Sequence, residues 1–145
     1  MPSRSSALCG MAGVAASCII LARCADHNAF DPIVACSDSQ VVTVHVDPGL
    51  TPQFTWTPSC GMASLRVLPD TGSGGGWVLY SGAAAADNPL PSGIRYGIVP
   101  PRGLAPADAA PLVRGVQYHV VVYRWLGPAG GPGSLFDRGS VAFTP

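Results

Sequence analysis

The sequence predicts an all-β fold, an antiparallel seven-stranded β-sandwich that follows an N-terminal signal helix. Three observations carry this expectation. From about residue 40 onward, short apolar runs alternate with turn signals. Gly and Pro supply 18 and 15 of the 145 residues, whereas Lys and Glu, two good surface helix formers, are absent. The one long apolar run, residues 7–22, lies at the N-terminus. A chain of this length holds about one domain with a single core.

The N-terminal run has the layout of an export signal. Arg4 and a short polar lead precede Ala7 to Ala22, and the run stops at Arg23-Cys24-Ala25-Asp26. It is shorter than the roughly 20 residues of a membrane span. We therefore divide the chain into a signal or lipoprotein signal (1–24), a linker (25–39) and a β-sandwich domain (40–145). Leu21-Ala22-Arg23-Cys24 resembles the lipoprotein box of bacteria, with Arg23 standing where a small residue is usual. That resemblance implies lipidation at Cys24. An uncleaved N-terminal anchor is the rival reading.

Five Cys are present. Cys9 and Cys18 leave with the signal and Cys24 is the acylation candidate, so Cys36 and Cys60 remain to form one disulfide in an exported chain. The strand pattern agrees. Val41 to Val46 alternates, Asp47-Pro48-Gly49 is turn chemistry, and Gln53 to Trp56 begins the returning strand. With Val46 facing Gln53, the same pairing carried to the open end of the hairpin brings Cys36 near Cys60. No Cys-x-x-Cys spacing exists and His27, His45 and His119 are scattered, so no metal site is expected.

Further strands are predicted at Ser64–Leu68, Gly76–Tyr80, Ile94–Val99, Val116–Leu126 and Ser140–Thr144. The segments 70–76, 83–89, 100–111 and 127–133, rich in Gly, Pro or Ala, read as loops.

Leu112-Val-Arg-Gly115-Val-Gln-Tyr118-His-Val120-Val-Val122 resembles the Leu-x-x-Gly-x-x-Tyr-x-Val-x-Val signature of fibronectin type III domains. Phe54-Thr-Trp56-Thr-Pro58 is similar to that family's second strand with its buried Trp, and Val141-Ala-Phe143-Thr-Pro145 to its last. The resemblance covers about residues 40–145 and implies a fibronectin type III or immunoglobulin-like sandwich. It further implies that Leu112 and Gly115 turn the chain between sheets and that the Tyr118 hydroxyl bonds back to the preceding loop.

Composition excludes several functions. Charged residues make up 11% of the chain and the formal net charge is zero, so no basic footprint for nucleic acid exists. Without Lys or Glu there is no Schiff-base amine and no paired-glutamate chemistry. Leu68-Pro-Asp-Thr-Gly72 matches a cell-wall sorting box in letters, but it sits mid-chain and reads as a strand-ending turn. The Gly72–Gly76 loop lacks the Lys-Ser/Thr of a phosphate loop and leads into a strand. No Gly-x-Ser-x-Gly elbow precedes a helix. His119 has no carboxylate near it in sequence, and the Asp residues show no fixed pair. We expect no enzyme and no cofactor.

One pattern suggests a contact surface. If Tyr118, Val120 and Val122 point inward, alternation turns His119, Val121, Tyr123 and Trp125 outward. The strand is expected at the centre of its sheet, between Ser64–Leu68 and the final strand, with Tyr80 nearby. Either a loop, 83–93 or 100–111, folds over these rings, or they meet a partner. The expected function is an exported, membrane-tethered, non-catalytic interaction or structural module of the cell envelope. Its partner would be an envelope protein or a glycan, and its membrane contact the N-terminal lipid or signal anchor. The alternative is a small carbohydrate-binding module stacking sugars on Tyr123 and Trp125, with His119 or Arg124 at the edge.

Overall fold

A computed structural model describes residues 36–71, 76–128 and 131–145. The signal segment with Cys24, most of the linker, and the centre of the Gly-rich loop lie outside the described residues. The strands are β1 (Thr43–Val46), β2 (Gln53–Thr57), β3 (Ser64–Pro69), β4 (Trp77–Tyr80), β5 (Ile94–Arg95), β6 (Tyr118–Leu126) and β7 (Ser134–Phe143). They form two antiparallel sheets, ordered β1-β2-β5 and β4-β3-β6-β7. The described helical content is one 3-10 segment, Gly82–Asp87.

Both sheets close on one core, and the arrangement is sandwich-like. Alternation sends Phe54 and Trp56 inward from β2, Leu65 and Val67 from β3, and Val120 and Val122 from β6, all buried. An aromatic cluster joins the sheets near the C-terminal end of β7. Phe54 meets Tyr96 and Phe143 edge-on at 6.4 and 5.9 Å, Trp77 meets Tyr96 at 5.4 Å, and Tyr118 stacks on Phe143 at 5.7 Å. Such pairs add about 0.5–1.5 kcal/mol each beyond the area they bury. Burial, with repulsion from Tyr118 adding to it, pushes the Tyr96 phenol up to about 12. Its hydroxyl donates to the Ala110 carbonyl at 2.6 Å.

The first hairpin is displaced by one position from the expected pairing. Val46 faces Phe54 rather than Gln53, and Val44 faces Trp56. A pairing of Val46 with Gln53 would set an inward side chain against an outward one, so the shared buried face selects the observed register. The disulfide expectation survives this shift. Cys36 and Cys60 are paired, with Cα atoms 5.3 Å apart, and the Trp56 indole N–H donates to the Cys60 carbonyl at 2.7 Å.

β1 and β6 begin two residues later than expected, at Thr43 and Tyr118, and two other strands depart further. β5 ends after two residues because Gly97 takes a φ of +77° and the Ile98 N–H turns back to the Arg95 carbonyl at 3.0 Å. β7 begins at Ser134 rather than Ser140, lengthened by a bulge that leaves Arg138 unpaired between Asp137 and Gly139. Its carbonyl accepts the Val42 N–H at 2.8 Å, which ties the N-terminal strap to the edge of the second sheet.

The corner before β6 has the expected form. Leu112 is buried, Gly115 has a φ of +77°, and the Tyr118 hydroxyl accepts the Val113 N–H at 3.1 Å.

Candidate interaction face

In the three-stranded sheet, alternation presents Thr43, His45, Gln53, Thr55, Thr57 and Arg95 to the outside. This is the polar-out pattern of a sheet with one wet face. The four-stranded sheet does not follow it. Its outward positions include Leu68, Val78, Tyr80, Val121, Tyr123 and Trp125, so the middle of β6, from Val120 to Tyr123, is apolar on both faces.

Register places these residues in rows. Tyr80, Ser64, Tyr123 and Asp137 share one row across the four strands, and Val78, Arg66, Val121 and Ser140 the next. Facing residues on neighbouring strands lie on the same side of a sheet. Leu68, His119 and Ala142 make a third row, in which Leu68 is 45% exposed and His119 is also exposed. The expected neighbours of Tyr123 are therefore brought together, including Tyr80.

The two loops proposed as covers meet the sheet at its margins. Tyr80 and Leu104 exchange backbone hydrogen bonds at 2.9 and 2.7 Å, which docks the 100–111 segment beside β4. Asn88, in the left-handed region at φ 47°, brackets Trp125. Its Oδ1 accepts the Trp125 N–H at 2.7 Å and its Nδ2 donates to the Trp125 carbonyl at 3.2 Å. This side chain continues the β6 ladder beyond the end of β3. Ser92 does the same for β2, its Oγ accepting the Trp56 N–H at 2.8 Å.

Arg66 sits near the middle of the face, its guanidinium carbon 4.7 Å from the Tyr123 ring centroid. Among the described residues no carboxylate lies within 4 Å of it. The Trp125 indole lies against Gly133, where an added Cβ would come within 2.5 Å of the ring. One face of Tyr123 is thus taken by a cation, and Trp125 is half-buried by its own hairpin.

Sequence reasoning missed the partner of His119. Asp70 at the end of β3 brings Oδ1 to 3.1 Å from His119 Nε2, both side chains about half exposed. As a solvent-exposed polar contact it ties the end of β3 to β6 and adds less than about 1 kcal/mol. Arg124 points away from the face, toward Asp38 at 4.0 Å. Arg66 and Leu68 were also missed, although the inward alternation of Leu65 and Val67 signals both.

Among the described residues no group of three or more His, Cys or Asp side chains is placed to hold a metal ion. No helix there is long and apolar enough to cross a membrane. The chain matches no protein family, no curated protein and no solved structure with which it was compared.

Proposed function

We propose that this chain is an exported, membrane-tethered, non-catalytic interaction module of the cell envelope, with a fibronectin type III-like sandwich as its body. Its working surface is the outward face of the four-stranded sheet. The observation that carries this reading is the contrast between the two outward faces, one made of Thr, Gln, His and Arg, the other richer in aliphatic and aromatic side chains (Leu68, Val78, Tyr80, Val121, Tyr123 and Trp125), with Ser64, Arg66, His119, Ser140 and Asp137 set among them. Large apolar surface is retained in water chiefly where a partner covers it.

Other features support the rest of the proposal. The Tyr118 hydroxyl bond to Val113 is the corner that the family resemblance implies. With strands lettered in chain order, the sheets read A-B-E and D-C-F-G, which differs from the constant-type immunoglobulin arrangement in the sheet that holds the fourth strand. A Cys36–Cys60 bridge suits an oxidising compartment. The apolar run ending at Arg23-Cys24 supports export and lipidation at Cys24. The sugar-stacking alternative has less support, since Arg66 takes one face of the Tyr123 ring and the Trp125 indole lies against Gly133.

Intact mass of membrane and soluble fractions, taken with and without reductant after expression in a bacterial host, tests the proposal. A membrane species starting at Cys24 with diacylglycerol mass, gaining two hydrogens on reduction, is expected. A full-length product confined to the cytosol would overturn it.

A further inference from the structure

We infer that the partner of the apolar face is a second copy of this chain, paired face to face about a two-fold axis. The inference rests on the proposal that this face is the working surface, and it names the occupant.

Charge placement on the face selects this occupant. Within the apolar rows two formal charges of opposite sign lack an ion-pair partner among the described residues, Arg66 on β3 and Asp137 on β7. They flank β6 on either side. Arg66 faces Val121 and Asp137 faces Tyr123, so the point midway between them lies on β6 between Val121 and Tyr123, the centre of the face. Strand spacing and rise put the two Cα atoms roughly 12 Å apart.

A two-fold axis lying in the interface along the perpendicular bisector of that line brings Arg66 of each copy over Asp137 of the other. It also brings Val121 and Tyr123, which lie close to the axis on β6, near their own counterparts. An isologous contact doubles every pairwise term, and here each doubled term is an attraction rather than a repulsion. The polar outward face of the other sheet offers no such set, since its Arg95 has no carboxylate beside it in the register.

Geometry also fits two copies on one membrane. The axis runs roughly 35° from the strand direction, so the ends from which residue 36 emerges point to the same side of the pair. The face spans four strands by about 20 Å, a footprint on the order of 400 Å² per copy. That is small for a stable interface, so the contact is weak in free solution and depends on the concentration that a shared membrane supplies.

Sedimentation equilibrium of the full chain in density-matched detergent tests the inference with Arg66→Asp, Asp137→Arg and the double reversal. A reversible monomer–dimer equilibrium is expected. Each single reversal should weaken it by at least about tenfold, and the double reversal should restore it to within about threefold. Asp137 is exposed, so Asp137→Arg keeps the test decisive even where Arg66→Asp impairs folding. A monomer at all concentrations, or a dimer indifferent to Asp137→Arg, overturns the self-pairing. A membrane-tethered monomer would leave the proposed function standing, whereas a charge-dependent dimer found only in the cytosol would remove the envelope reading and keep the pairing.

Discussion

Tyr118 links sequence to fold at the smallest scale. Its ring stacks on Phe143 in the core while its hydroxyl accepts the Val113 N–H across the turn made by Gly115. Tyr118→Phe keeps the packing and leaves the Val113 N–H without that acceptor. We expect a loss of about 1–2 kcal/mol, read as a lower urea midpoint with an unchanged slope. Tyr118 was legible because a spaced motif and strand alternation both pointed at it. Asp70, Asn88 and Ser92 were not, since each acts on a residue 36 to 49 positions away. Contacts of that kind depend on the register of strands and loops that local pattern does not fix. Arg66 lies between these cases, its outward direction readable and its place over Tyr123 not.

Among the elements, strands with strict alternation and clean turns were read nearly to their ends, as β2, β3 and β4 illustrate. The exceptions have local causes. Ile94 to Val99 contains Gly97, whose positive φ breaks the run after two residues. Ser134 to Gly139 holds Asp137, Arg138 and Gly139 in place of alternation, because a bulge there lets the strap before β1 reach the strand. Gly139 makes that approach possible, as a Cβ at this position would collide with the Val42 carbonyl. Gly139→Ala is therefore expected to cost about 1–3 kcal/mol and to expose the Val42 amide. Hydrogen exchange should show faster exchange at Val42, with the β3–β6 pairing unchanged; unchanged protection at Val42 would contradict this account of the strap.

At the scale of the molecule, the all-β class, the two antiparallel sheets and the central place of β6 were legible in the sequence. The chemical difference between the two outward faces was readable only in part. It requires knowing that Val78, Arg66 and Val121 share a row with Ser140, and that the loops at 82–88 and 100–111 join the sheet at its margins. Once those rows are assembled, the four-stranded face is a largely apolar surface on which Arg66 near the middle and Asp137 at the edge lack an ion-pair partner among the described residues, while the opposite face is dressed for water. The central claim is that the first of these is covered in the cell and the second is not. Hydroxyl-radical footprinting of intact envelopes against the dilute purified chain tests it most directly. Tyr80, Tyr123 and Leu68 should be protected in the envelope while His45 reacts equally in both. Equal reactivity of Tyr123 and Leu68 in the two states would contradict the claim.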